Sequence, residues 1–325
     1  FFDIDFQRMI HFHEEKGAVA TLFVHPNGHP FDSDLLVLDH DDKITAFDSK
    51  HNVRNYWYEN CVNAGIFVFE KKICDYVPEP VKRNLENDVI KGMLEAGEPI
   101  YGYCSPEYVK DVGTVERVNQ TLADIERGVI AGKCLKNKQR CIFMDRDGTI
   151  NQYKGLVYKG EDFTLEDCAV DAIRKINQSG RLGIVITNQP VVARGLCEIE
   201  DVENIHKKME TLLGKEGVFL DDVFYCPHHP DKGYPEENPA YKTPCECRKP
   251  KTGMIQKAAE RYNIDLAGSW MIGDTTMDIQ TGINAGMRTA LVQTGEAGND
   301  KKYDVKPDLV CRDLLDAVEK ILQVD

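Results

Sequence analysis

The chain has no run approaching the 18 apolar residues of a membrane-spanning helix. Its first residues, Phe1 to Phe6, lack the basic head and apolar stretch of a signal peptide. A soluble, cytoplasmic protein that engages no membrane is the expectation. Positive charge is also short: 40 lysines and arginines face 54 aspartates and glutamates, for a net charge of -14. This argues against nucleic acid as a partner, because such binding relies on basic surface to neutralise phosphates. A small anionic substrate must then be held by local donors rather than by the overall field. The eleven cysteines do not read as a disulfide framework. Their number is odd, and Cys61, Cys74 and Cys141 stand singly in apolar runs, where a reduced thiol behaves as a small hydrophobe.

A length of 325 residues exceeds the usual size of one core, and 42% hydrophobic residues can fill two. Up to about Gly132, apolar segments such as Ala20 to Val24 and Asp34 to Leu38 alternate with turn-forming stretches and read as strands. Val118, Leu122 and Ile125 recur at three- and four-residue spacing, which predicts an amphipathic helix over Val115 to Gly128. We place a first domain at 1–133, a linker at 134–139 and a second domain at 140–325. In the second, strand and helix patterns alternate: Cys141 to Met144, Ala169 to Gln178, Gly183 to Thr187, Glu200 to Leu213, Gly253 to Tyr262, Trp270 to Ile272 and Met277 to Ala285. Such alternation predicts an α/β fold, a Rossmann-like parallel sheet wrapped by helices, with ligands at the carboxyl ends of the strands.

Chemistry-bearing residues stand at those ends. Asp145-Arg146-Asp147-Gly148-Thr149 follows the first strand. A calcium loop is excluded, since glycine falls fourth rather than sixth and the twelfth position is Leu156. Thr187-Asn188-Gln189 follows the next strand, and Gly273-Asp274-Thr275-Thr276-Met277-Asp278 the last of those predicted. Arg248-Lys249-Pro250 precedes a helix. Three strand-end carboxylates, a hydroxyl and a lysine are the parts of a metal-assisted phosphoryl transfer, and magnesium favours such hard oxygens. Separately, Cys226-Pro227-His228-His229 is divided by fifteen residues from Cys245-Glu246-Cys247. Three thiolates and one imidazole would close a tetrahedral zinc site with no open position, hence a structural one, with His229 the rival to His228.

In this order the segments resemble the four motifs of the haloacid dehalogenase (HAD) superfamily. The resemblance implies Asp145 as nucleophile and Asp147 as acid/base, with Thr187 and Lys249 stabilising the phosphoryl group. It puts magnesium on Asp145, Asp147 and Asp274, with Asp278 as a supporting acid behind them. Within the superfamily, the zinc loop 226–247 running into Arg-Lys-Pro resembles the D-glycero-D-manno-heptose 1,7-bisphosphate phosphatases and the related histidinol-phosphate phosphatases. That similarity favours Cys226, His228, Cys245 and Cys247 as the zinc ligands. It also gives substrate contacts to Tyr153, Lys154, Asn188, Gln189, Arg194 and Arg248. Pro190-Val191-Val192 and Thr275 depart from the heptose pattern at the distal end of the substrate. The 37 residues between Thr149 and Thr187 leave no room for a large cap domain.

Residues 1 to about 132 resemble the second half of a sugar-phosphate nucleotidyltransferase, a partial α/β domain. The matching pieces are Lys50, Asn63-Ala64-Gly65-Ile66, Leu85-Glu86-Asn87-Asp88-Val89 and Asp111-Val112-Gly113-Thr114. The resemblance implies sugar contacts from Asn63 and Glu86, a phosphate contact from Lys50 and a second magnesium on Asp111. The glycine-rich loop with which such enzymes cradle a nucleoside triphosphate does not occur. Two expectations follow: a truncated sequence, or a scaffold without transferase activity. Removing the 7-phosphate of a heptose bisphosphate yields a sugar 1-phosphate, which a nucleotidyltransferase consumes, so the pairing favours the heptose substrate. Histidinol phosphate, and a non-catalytic sugar-phosphate binding module, stand as the alternatives.

Overall fold

The computed structural model describes residues 1–77, 82–231, 233 and 236–324. Part of the expected zinc loop, residues 232, 234 and 235, lies outside them.

The first domain opens with β1 (Phe2–Asp3) and α1 (Phe6–Glu15), followed by β2 (Ala20–His25), β3 (Leu35–Leu38), β4 (Ile44–Asp48) and β5 (Val62–Phe69). A π-helical turn, Leu85–Ile90, runs into α2 (Lys91–Glu95), then β6 (Ile100–Cys104), β7 (Tyr108–Val109), α3 (Val115–Glu126) and α4 (Val129–Lys133). Five strands form a mixed sheet ordered β4-β3-β5-β2-β6, with β2 and β6 parallel. The run Ala20 to Val24 is fully buried because helices and strands cover both of its faces. Helix α3 forms where its spacing predicts, but faces the other way: Val118, Leu122 and Ile125 are exposed, whereas Thr121 and Asp124 are buried. Polar anchoring decides this. Asp124 takes the Tyr108 hydroxyl at 2.8 Å, which ties the helix to β7, and Arg127 at the end of the same helix donates to it at 2.6 Å.

The second domain contains β8 (Cys141–Met144), α5 (Ala169–Ser179), β9 (Leu182–Asn188), α6 (Ile199–Lys215), β10 (Asp222–Cys226), α7 (Gly253–Tyr262), β11 (Trp270–Gly273), α8 (Thr276–Asn284), β12 (Arg288–Val292), β13 (Leu309–Cys311) and α9 (Leu314–Val324). Its six strands are parallel in the order β10-β9-β8-β11-β12-β13. Every residue of β8 is fully buried, as a central parallel strand requires. In α5, Ala169, Ala172, Ile173 and Ile176 bury one face at helical spacing, and Gly180 ends the helix in the left-handed conformation (φ 76°). The strand ending at Gly273 is not the last. Two more follow it, and β12 and β13 extend the sheet away from the motif-bearing strands.

The domains meet along α6. Thr211 on that helix accepts from the Tyr58 N–H at 3.0 Å and lies 3.0 Å from the Tyr58 carbonyl, both residues being buried. Gly214 approaches Pro30 so closely that a β-carbon would sit 2.5 Å from its ring. The connecting segment 134–139 is itself pinned. Leu135 donates to Glu107 in the first domain, while Gln139 exchanges backbone bonds with Asn263 and Asp265 in the second. Beside this seam lies a cavity of about 540 Å³, lined by His25, Glu59 and Cys104 on one side and by His206, Glu210 and Arg261 on the other. No described helix is long and apolar enough to cross a membrane. Replacing Thr211 with Val keeps the shape but leaves the buried Tyr58 amide without its partner. We expect a loss of about 1–3 kcal/mol in unfolding free energy by denaturant titration.

Candidate active site and metal centres

The carboxyl ends of β9, β8 and β11, three neighbouring strands, bring the motifs together. Asp145 leaves β8, Thr187 is the last residue but one of β9 and Asp274 leaves β11. Lys249 reaches the same point from the loop before α7. Its ammonium lies 2.9 Å from Asp145 Oδ2 and 2.6 Å from Asp278 Oδ1, and its side chain is 2% exposed. Asp278 is held in turn by α8, whose capping box joins it reciprocally to Thr275. Oxygens of Asp145, Asp274 and Asp278 lie within 4.8 Å of one another. Asp274 accepts from the Glu296 N–H at 2.7 Å. A β-carbon on Gly148 (φ 75°) would fall 2.4 Å from its Oδ2, so only glycine leaves room for that carboxylate.

Asp147 stands beside the cluster of Asp145, Asp274 and Asp278, and its carboxylate is surrounded by donors. Arg146 Nη2 donates at 3.0 and 2.9 Å, Asn151 Nδ2 at 3.0 Å and Gln189 Nε2 at 2.9 Å. Gln189 Nε2 also donates to Thr187 Oγ1 at 3.0 Å, so one amide nitrogen joins Asp147 to Thr187. Asn188 clamps the backbone of Lys249, accepting from its N–H at 3.0 Å and donating to its carbonyl at 3.2 Å. Tyr153 donates to Glu296, Lys154 to Thr164 at 3.1 Å, and Arg248 to the His228 carbonyl at 3.0 Å; Arg194 is half-buried beyond β9. Arg146, Asn151 and Glu296 were missed from sequence. Arg146 could have been noticed as the fully enclosed residue between two motif acids, whereas Glu296 carries no sequence signal.

Electrostatics fit the acidic cluster to a divalent cation. Burial, reinforced by Asp278 and Asp145, pushes the Asp274 carboxyl up to about 8. Burial likewise raises Asp145 to about 6, against the pull of Lys249. Burial opposes the Lys249 ammonium, yet Asp145 and Asp278 outweigh it and hold its pKa above the usual lysine range. Three carboxylates around one ammonium leave excess negative charge, which a hard cation would offset.

The second cluster stands one strand away, at the end of β10. Cys226 Sγ lies 3.5 Å from Cys245 Sγ and 3.1 Å from Cys247 Sγ, and His228 Nδ1 lies 3.4 Å from Cys247 Sγ. These separations approach the edges of roughly 3.5–3.8 Å that a tetrahedron with bonds of 2.0–2.3 Å requires, and all three cysteines are free thiols. Hydrogen bonding from Cys226 lowers the Cys247 thiol to about 5. His229 is not part of the cluster: its ring accepts from the Asp231 N–H at 3.2 Å.

Of the four first-domain candidates, Lys50 and Asn63 lie near the carboxyl end of β2. Lys50 and Asn63 meet there, both donating their N–H groups to Asp34, at 2.8 and 3.1 Å. Glu86 sits half-buried in the π-helical turn. Asp111 is exposed and paired with Arg117 at 2.7 Å.

Residues 246–317 match the family described as HAD-hydrolase-like, and residues 1–128 match the nucleotidyl transferase family. A D-glycero-beta-D-manno-heptose-1,7-bisphosphate 7-phosphatase from Haemophilus ducreyi is 37% identical over 182 residues, covering 55% of this chain and 97% of that protein. The protein of the same name from Escherichia coli is 40% identical over 156 residues, 48% of this chain and 80% of its own length. Among solved structures, the D,D-heptose 1.7-bisphosphate phosphatase of B. bronchiseptica, complexed with magnesium and phosphate, aligns with a TM-score of 0.51 and 34% identity. It covers 57% of this chain and 100% of that one.

The raised carboxyls give a signed expectation. Asp145 and Asp274 favour the folded state most below the ordinary carboxylate range near pH 4. In metal-free protein that contribution is lost as pH rises through about 6 and about 8. Metal-free stability should therefore fall across this window, and magnesium should restore it while displacing up to about two protons. Calorimetric titration of magnesium in buffers of differing ionisation enthalpy measures the release.

Proposed function

Because the chain belongs, through its second domain, to the D-glycero-beta-D-manno-heptose-1,7-bisphosphate 7-phosphatase family, we propose that it hydrolyses the 7-phosphate of that sugar bisphosphate through an aspartyl-phosphate at Asp145. The observation that carries this reading is the meeting of Asp145, Asp274, Asp278 and Lys249 at adjacent strand ends. Asp145 is the nucleophile: its carboxylate oxygen forms a bond to phosphorus as the bond from phosphorus to the sugar oxygen breaks. Asp147 delivers the proton that the departing oxygen takes up. It then removes a proton from the water that attacks phosphorus, and the bond to Asp145 breaks to free inorganic phosphate. Lys249 and Thr187 face the charge that builds on the phosphoryl oxygens. Magnesium held by Asp145 and Asp274 would add charge neutralisation at the same oxygens.

Zinc fits Cys226, His228, Cys245 and Cys247, and its place in the chain suggests why. Arg248 and Lys249 directly follow the last thiol, so tying that loop to the end of β10 sets the reach of the lysine. The first domain supplies the context: the hydrolysis leaves a sugar 1-phosphate, the substrate class of a nucleotidyl transferase. We place the reaction in the cytoplasm, where the free cysteines remain reduced.

The deciding assay is phosphate release from heptose 1,7-bisphosphate, with and without magnesium, beside histidinol phosphate. Preference for histidinol phosphate would overturn the substrate reading. In Asp145→Asn, kcat should drop roughly 10³-fold or more while the fold and bound zinc persist. Cys247→Ser should lose most of its zinc by elemental analysis, and with it at least about tenfold in kcat.

A further inference from the structure

Arg146, between the two motif acids, is a fully buried cation. Its Nε and Nη2 groups donate to Asp147 at 2.9–3.3 Å, and Nη1 lies 3.2 Å from His206 Nε2. Among the described residues these two side chains are the hydrogen-bond partners of the guanidinium. A guanidinium has only donors and keeps its proton, so His206 Nε2 must be the bare, accepting nitrogen and the ring must be neutral. Burial first, then the charge of Arg146, lower the His206 pKa well below its ordinary value, consistent with that tautomer. The imidazole is itself 7% exposed and is steadied by Tyr225, whose ring centroid lies 5.1 Å away and whose hydroxyl donates to Glu203 at 3.2 Å.

We propose that His206 is a positioning residue for catalysis: by accepting from Arg146 Nη1, it locks the guanidinium in the orientation that aims the Asp147 carboxylate at the reacting oxygen. This rests on the acid/base role given to Asp147. His206 touches neither substrate nor reacting atoms. Without an acceptor there, a buried N–H of Arg146 has no partner and the guanidinium turns to find one, drawing the carboxylate with it. Asn151 and Gln189 retain part of the alignment, so the effect is finite.

The test compares His206→Leu, which removes the acceptor, with His206→Gln, whose amide oxygen can occupy the position of Nε2. Met209→Ala, a core truncation on the same helix, serves as the control for simple destabilisation. Kinetics are read on heptose 1,7-bisphosphate and on para-nitrophenyl phosphate, with melting temperatures measured in parallel. His206→Leu should lose about tenfold in kcat with KM within about twofold on both esters. His206→Gln should recover to within about threefold of the parent, and Met209→Ala should melt earlier with kcat unchanged. The proposal is overturned if His206→Leu keeps its kcat, if Leu and Gln lose it equally, or if the loss merely follows the melting temperature as in Met209→Ala. A parent protein active on the aryl ester but inert on the bisphosphate would instead overturn the substrate reading, and the His206 comparison would still be readable.

Discussion

The buried ammonium of Lys249 between Asp145 and Asp278 is the interaction on which the second domain turns. Removing one partner from such a buried set strands a charge in a low-dielectric site, at a cost that can exceed the net worth of the pair. Each residue of the triad is accordingly held by the backbone around it: Asp145 by the end of β8, Asp278 by the cap of α8, and Lys249 by the side-chain clamp of Asn188. The cysteine-histidine cluster anchors the loop from its other side. The site is preorganised by secondary structure, which keeps the cost of aligning it out of the reaction itself.

Much of this was legible because parallel sheets put function at strand ends, and strand ends are marked by short polar motifs after apolar runs. Asp145, Thr187 and Asp274 stand at such ends and Lys249 precedes a helix, and the four helices predicted in the second domain end within two residues of their expected limits, whereas α9 was not predicted. What escaped was which side chains pair with which. The spacing of Asp147 from Asp145 says nothing of the Arg146, Asn151 and Gln189 donors that surround its carboxylate. Helix α3 was readable as a helix but not in its orientation, since a tyrosine hydroxyl and an aspartate overrode the apolar stripe. His206 sits in an ordinary amphipathic helix, and only the fold reveals what its ring accepts.

The first domain brings Lys50 and Asn63 to one end of its sheet, and that end faces the second domain across α6. Lys50 and Asn63 share Asp34 there, and the interdomain cavity opens beside the carboxyl ends of β2 and β6. One helix thus serves three surfaces. It buries Val202, Ile205 and Met209 in the second domain, presents Thr211 to the first domain, and carries His206 to Arg146.

That shared helix limits how the two halves could be traded between genes. A cassette cut at the connecting segment would carry away Glu107, the acceptor for the Leu135 amide, and expose the Thr211 side of α6, so a foreign replacement would need to reproduce a matched surface rather than merely a compatible chain end. A change at Thr211 or Glu107 would therefore be felt in both halves at once.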